Sequence, residues 1–337
     1  LLRRAPARMY MSALWTFAAA CAVTRPPQAL LSRRELAAAA LAVPAAAHGT
    51  ASLLPVPASA QAGFKLNTGV NFPTASFGLQ IYDDKDAEEL TLVALECGYR
   101  NFFASVLARN QRGFARAIQR SGVPREELFI CGSVLSNQAQ GFDAARKLSA
   151  RGCRENLEAF ASATDYVDMI MLDYPGPDDD SIRGQWAALE EMAAQKTTRS
   201  LAVSNFSPRQ LDVIFADKSA TVPTVNQLPF GVGFANIYDG NAASIVAENS
   251  KRGVVVQAWS PLQRALRGNR KDACAMIGQK YGKTAAQVAL RWIADMGCSF
   301  TTAGTRKRDG APARFRENLD IFDFKLTQEE IAALAKL

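Results

Sequence analysis

The chain has 337 residues, enough to bury one large core or two smaller ones. Apolar residues make up 48% and charged residues 21%, the balance of a soluble globular protein rather than a disordered or fibrous one. The formal net charge of +7 is concentrated in residues 1–62, which hold six Arg, no Lys and a single acid, Glu35; the remainder carries 33 basic against 31 acidic residues. Apart from Arg306-Lys307-Arg308 there is no basic stripe to follow a phosphate backbone, so no nucleic-acid partner is expected.

Residues 1–62 read as a targeting leader. Ser12 to Val23 is an apolar run, short of the roughly 20 residues needed to span a bilayer, and has the character of a signal-peptide core. A polar, Pro-containing piece from Thr24 to Leu30 follows. Ser32-Arg33-Arg34-Glu35-Leu36 then precedes a second apolar run to Ala47, a pattern similar to a twin-arginine export signal. Ala58 to Ala62 offers small residues for cleavage. The other reading is an Ala-rich leader in which the arginine pair is a coincidence. Signal core, transit-like linker and twin-arginine core in series resemble the presequences of thylakoid-lumen proteins in algae with multi-membrane plastids. A bacterial exported protein would need one apolar run. Met9, Met11 or an upstream residue is the expected start. After removal of the leader the protein would be peripheral to a membrane rather than spanning it.

From Gly63 the elements follow in a regular order. Leu66 to Pro73 predicts a short β-hairpin. Strands are predicted at Ala75 to Tyr82, Tyr99 to Phe103, Leu128 to Cys131, Tyr166 to Leu172, Ser200 to Val203, Thr224 to Gln227, Val254 to Ala258 and near Ser299 to Thr302. Helical spacing of apolar residues marks Ala87 to Glu96, Gly113 to Ser121, Ala144 to Ala161, Arg183 to Gln195, Pro208 to Phe215, Ala242 to Arg252 and Asp272 to Tyr281. Two more helices are predicted near Ala311 to Asn318 and from Thr327 to the end. Strands alternating with helices in this number predict an α/β protein, a (β/α)8 TIM barrel over residues 63–337 with an N-terminal hairpin plug and a C-terminal helical extension. A doubly wound open sheet is the runner-up, but no Gly-rich turn follows the first strand.

In such barrels the chemistry sits where strands end. Phe103, Ala104, Ser105 and, a turn later, Ala108 hold that place after the second barrel strand, and none is an acid, a base or a strong nucleophile. The only histidine, His48, lies in the leader, so histidine catalysis and histidine-ligated metals are excluded from residues 63–337. Six cysteines follow no metal spacing and read as small buried apolar residues, with one disulfide open in an oxidising compartment. No metal site is expected.

Several short motifs occur together and in order. They are Leu128-Phe129-Ile130, Tyr166-Val167-Asp168, Val203-Ser204-Asn205-Phe206-Ser207, Val225-Asn226-Gln227 and Trp259-Ser260-Pro261-Leu262. Tyr281-Gly282-Lys283-Thr284 with Gln287 to Trp292, and Glu317 to Phe324, complete the set. Jointly the chain resembles the aldo-keto reductases from about Phe64 to the C-terminus. The resemblance implies descent from an NADPH-dependent carbonyl reductase. It places the family's catalytic aspartate at Phe103, tyrosine at Ala108, lysine at Ser133 and histidine at Asp173, so that all four are replaced. The expectation is a pseudoenzyme: a non-catalytic structural or assembly subunit on the lumenal side of a thylakoid complex such as a photosystem, partnered by protein subunits of that complex. The alternative is an NADP(H)-binding oxidoreductase or redox sensor with rearranged chemistry, outside the lumen, drawing on Ser133 or Asp173.

Cofactor binding is a separate expectation. Absence of a cofactor is the first reading and NADP the second. For NADP, the resemblance implies Ser204, Asn205 and Gln227 around the nicotinamide amide, Trp259 stacked on its ring, and Ser260 and Leu262 near the pyrophosphate. Gly304, Thr305 and Arg306 resemble the loop for the 2′-phosphate, with Arg314, Glu317 and Asn318 on the phosphate and adenine. Pro229 to Ile237 is apolar and reads either as a docking patch or as a tucked-in loop. Pro175 to Asp180 reads as a solvated acidic rim.

Overall fold

The computed structural model describes residues 62–234, 240–304 and 309–337. The predicted leader lies, but for residue 62, outside the described residues. β1 (Gly63–Lys65) and β2 (Asn71–Pro73) form an antiparallel hairpin. Eight further strands follow: β3 (Ala75–Gly78), β4 (Asn101–Ala104), β5 (Phe129–Leu135), β6 (Met169–Asp173), β7 (Leu201–Ser204), β8 (Val225–Pro229), β9 (Val255–Trp259) and β10 (Ser299–Thr302). They pair in parallel, each with the next, and β10 returns to β3 to close a barrel. The predicted (β/α)8 TIM barrel is the observed fold.

Strand alternation explains the two cores. In β6, Met169 and Met171 point inward and join the hairpin residues Leu66 and Phe72, together with Phe103, Phe129, Cys131, Ala202 and Val225. Phe72 and Phe129 stack tilted at 5.0 Å, so the hairpin plugs the barrel floor with aromatic surface. Ile170 and Leu172 point outward into the larger core beneath the helices. Side chains of the hairpin also reach the floor: the Asn67 amide donates to the Pro223 carbonyl at 3.3 Å, and Asn101 donates to the Pro73 carbonyl at 2.9 Å.

The helices are α1 (Asp84–Glu96), α2 (Gln111–Ser121), α3 (Phe142–Phe160), α4 (Asp179–Ala194), α5 (Pro208–Phe215), α6 (Ala242–Ser250), α7 (Gly268–Tyr281), α8 (Ala285–Asp295), α9 (Ala311–Leu319) and α10 (Gln328–Ala335). Several begin earlier than apolar periodicity predicts, because their first turns are acidic and capped. Asp83 accepts from the Asp86 amide at the start of α1, and Asp178 from the Ser181 amide at the start of α4. The Pro175 to Asp180 stretch is therefore largely the cap and first turn of α4, where acidic residues suit the positive end of the helix. Helix α8 is absent from the sequence-based list. Its residues Gln287 to Ile293 are all buried, the polar Gln287 and Arg291 included, while the flanking Ala285, Ala286, Ala294 and Asp295 are half-buried. The signal that was present is a capping box, Thr284 with Gln287, in which both reciprocal bonds form.

The apolar stretch after β8 is tucked in where it is described. Phe230, Val232 and Phe234 are buried, and Phe230 stacks on Trp292 at 5.5 Å. The remainder of that expected patch, residues 235–237, lies outside the described residues. Cys97, Cys131, Cys153, Cys274 and Cys298 are free and buried. Among the described residues no helix is long and apolar enough to cross a membrane.

Candidate active site

Along the eight barrel strands one side chain carries a formal charge at neutral pH, Asp173. It is the last residue of β6, sits in register between Leu135 of β5 and Ser204 of β7, and is 6% exposed. No cation pairs with it among the described residues. Burial pushes its carboxyl up to about 6, an effect opposed by the Ser204 hydroxyl. A buried carboxyl that is partly protonated near neutral pH can donate a proton, which an ordinary surface aspartate cannot.

Ser204 is held by its neighbours. The Asn205 amide donates to Ser204 Oγ at 2.9 Å, and the Trp259 indole N–H donates to Asn205 Oδ1 at 3.1 Å. With Oγ accepting from Asn205, the Ser204 proton is left to face Asp173. Gln227 donates to Gln257 at 2.7 Å, and Gln257 to Ser299 at 3.2 Å, which continues the polar ring through β8, β9 and β10. The backbone is strained at this rim. Tyr174, Asn205 and Ser260 each follow directly on a barrel strand and each has positive φ (68°, 63° and 53°). Left-handed non-glycine residues cost about 1–3 kcal/mol apiece and cluster at functional sites.

On the β3 side of the mouth three buried polar atoms have no hydrogen-bond partner: Ser76 Oγ, Gln80 Oε1 and Thr301 Oγ1. Gln80 and Thr301 converge above Gly78, where a Cβ would come within 2.4 Å of Gln80 Oε1 and 2.8 Å of Thr301 Oγ1. A side chain there would have to push the end of Gln80 and the Thr301 hydroxyl aside. Unpaired buried polar groups at an open barrel end suit a polar ligand.

The other family positions are committed to packing. Phe103 is inward and 4% exposed, part of the plug cluster. Ser133 lies inside β5 rather than after it, because that strand runs on to Leu135. Its hydroxyl accepts from the Val106 amide at 3.0 Å and pins the 3-10 turn Val106–Ala108. Ala108 lies half-buried in that turn. Of the two residues offered for rearranged chemistry, Asp173 is therefore free to act and Ser133 is occupied.

The cofactor positions divide into two groups. Ser204, Asn205, Gln227 and Trp259 meet at the ends of β7, β8 and β9, with Ser260 and Leu262 directly beyond. Gly304 is packed against Phe315 and Tyr82. Thr305 and Arg306 lie outside the described residues. On α9, Arg314 is exposed, Glu317 accepts from the Thr284 hydroxyl at 2.6 Å, and Asn318 is buried against the Tyr99 hydroxyl. The strain at Tyr174, Asn205 and Ser260 could not be read from residue types alone.

The family model described as the aldo/keto reductase family matches residues 71–337. An aldo-keto reductase of Mycolicibacterium vanbaalenii is 33% identical over 270 residues, covering 80% of this chain and 89% of that protein. A glyoxal reductase of Bacillus subtilis is 30% identical, covering 82% of this chain and 92% of that protein. The crystal structure of an aldo/keto reductase from Brucella melitensis superposes with a TM-score of 0.71 at 27% identity, covering 81% of this chain and 98% of that one.

These relatives correct two expectations. The non-catalytic pseudoenzyme, a structural or assembly subunit of a thylakoid photosystem complex, is overturned, because the relatives are named as reductases. Its physical premise was that losing four groups left no proton donor, and the buried, protonatable Asp173 removes that premise. The plastid thylakoid-lumen address falls too, since these relatives are bacterial proteins. By its matched residues, its barrel and its relatives, this chain belongs to the aldo/keto reductase family.

Proposed function

We propose that the protein is an NADP(H)-dependent oxidoreductase that reduces a small aldehyde or dicarbonyl, with its proton-handling group moved to Asp173. In this reading Phe103, Ala108, Ser133 and Asp173 stand where the family's tetrad would be. The observation that carries the proposal is Asp173 itself: the one charged side chain on the barrel strands, buried at their catalytic ends, with its carboxyl raised to about 6. General acid catalysis is most effective when the acid's pKa lies near the working pH.

The residues fit the nicotinamide end of the cofactor. Ser204, Asn205 and Gln227 offer amide and hydroxyl partners for a carboxamide, and Trp259 offers a ring to cover one face. Bound there, NADPH would supply the hydride. Asp173 in its acid form would donate a proton to the carbonyl oxygen as negative charge develops on it. Ser204, fixed by Asn205, would keep the carboxyl aimed at the mouth, and the unpaired Gln80 and Thr301 would orient polar groups of the bound molecules. Phe103 and the plug beneath it exclude water from below. Loss of the donor would lower turnover by roughly 10²–10⁴-fold.

The test uses purified protein. Addition of NADPH should quench tryptophan fluorescence, and Trp259→Phe should remove most of that quench. NADPH consumption should then follow addition of methylglyoxal or a short aldehyde. Protein that neither binds NADPH nor consumes it across a panel of such carbonyls would overturn the proposal.

A further inference from the structure

A cavity of about 450 Å³ lies outside the barrel mouth, between the turn Val106–Ala108, the first turn of α2 and the side of α3. That volume is in the range of small-molecule sites. Its polar wall is Arg109, Gln111 and Arg112, with Glu155 opposite; Leu107 and Leu135 contribute apolar surface.

Four observations converge on this cavity. Neither Arg109 nor Arg112 makes an ion pair or a side-chain hydrogen bond among the described residues. Arg116, one turn on, binds both Asp84 and Glu88. Second, the start of α2 is capped from a neighbouring helix and not by its own residues. Asn110 makes no side-chain cap; its amide instead donates to the carbonyls of Leu79 and Tyr82 at 2.7 and 2.9 Å, and no acid occupies the first turn. Asp84 accepts from the Gly113 amide at 2.7 Å, and the Gln111 and Arg112 amides of the first turn have no side-chain acceptor among the described residues. Third, Gln111 is only 8% exposed, lines the cavity and has no hydrogen-bond partner there. Fourth, Leu107 is 58% exposed beside the two guanidinium groups, an apolar surface next to an anion-attracting one.

The geometry of the turn is fixed in advance. Arg109 is held at φ 54°, its amide donates to the Val106 carbonyl at 3.2 Å, and Val106 is tied to Ser133 at 3.0 Å. Glu155 does not cancel the positive wall, because it is paired with Arg151 at 3.3 Å.

We infer that this cavity is a binding site for a small organic anion, a phosphate ester or carboxylate with a short apolar body. Arg109, Arg112 and the α2 amides hold the charged head, Gln111 donates to one of its oxygens, and Leu107 and Leu135 cover the body. Guanidinium groups match the planar oxygens of both anions. The site stands independently of the proposed reductase activity, because it is read by binding.

The probes are phenyl phosphate, benzoate and neutral benzyl alcohol, titrated calorimetrically into the full chain. Phenyl phosphate is expected to bind, to weaken as salt rises from about 50 to about 300 mM, and to bind at least about 10-fold more weakly to the Arg109→Gln/Arg112→Gln variant. Arg112→Lys should retain more affinity than Arg112→Gln, and Asp173→Asn should leave binding unchanged. Both arginines are exposed, so the variants should keep the wild-type melting temperature. Inhibition of carbonyl turnover by phenyl phosphate that competes with the carbonyl would identify the cavity as a seat for a substrate's anionic end. A change in rate without competition would identify a separate effector. No binding at millimolar phenyl phosphate, equal binding by the double variant, or equal binding of benzyl alcohol would overturn the assignment.

Discussion

Two buried aspartates stand at opposite ends of one strand of the barrel. Asp168, just before β6 at the plugged floor, is 2% exposed; Asp173, at the open end, is 6% exposed. Their surroundings differ completely. Asp168 accepts from Arg125 at 2.7 Å, from Arg199 at 3.1 Å and from the Ile130 amide at 2.9 Å. Arg125 also lies over the Tyr166 ring at 4.0 Å, so both partners are locked in place. Asp173 has no cation and only a serine hydroxyl to oppose its desolvation. The floor spends its carboxylate on holding strands together. The mouth keeps a carboxyl whose proton is loosely determined. Burial alone is thus uninformative, and the partners decide whether a buried acid is a fastener or a reagent.

Two substitutions break this contrast from either side. Asp168→Ala leaves the Ile130 amide without its acceptor and takes the counter-charge from Arg125, which keeps only the neutral acceptors Thr164, Leu128 and Tyr166, and should cost about 3–5 kcal/mol, lowering the thermal midpoint by roughly 10 °C. Thermal unfolding of the purified variant measures this, and a shift within about 2 °C of wild type would mean the floor cluster is not the fastener described. Asp173→Asn should act in the opposite direction. Because the folded-state carboxyl is raised from 3.8 to about 6, wild-type stability is full below about pH 4 and declines as pH rises through about 6. Asparagine escapes that decline. The variant should equal wild type near pH 4 and exceed it by on the order of 2–3 kcal/mol at pH 8 in denaturant unfolding. A variant less stable than wild type at pH 8 would show that the ionised carboxylate is well accommodated.

The same contrast explains what was legible in the sequence. The barrel was, because alternation in Met169 to Asp173 and in its fellow strands is dictated by two apolar environments, plug and helices. The extent of β5 was less so. Gly132, Ser133 and Val134 do not look like a strand, yet Ser133 is held by Val106 and Asn156 and the strand continues past it. The assignment of Ser133 to the family's lysine position rests on its spacing from Leu128-Phe129-Ile130 and does not depend on where the strand ends. Helix α8 was missed although its capping box, Thr284 with Gln287, stood in the sequence. Asp173 was identified as a replaced position on which rearranged chemistry could draw, but its protonation depends on solvent exclusion and absent cations, which no single residue type encodes. The left-handed backbone at Asn205 and Ser260 was equally silent, because neither is glycine. The anion cavity was missed for a related reason: Arg109 and Arg112 differ from the paired Arg116 only in what lies across from them in space.

The most direct measurement is the pH dependence of carbonyl reduction in wild type and Asp173→Asn. Donation from a carboxylic acid requires its protonated form, so wild-type kcat should be high below about 6 and fall as pH rises through that value. The variant should lose roughly 10²-fold or more at low pH and show no such fall. Equal turnover by the two proteins, or a wild-type profile that is flat between pH 5 and pH 8 on the order of the assay's precision, would contradict the assignment of the proton to Asp173.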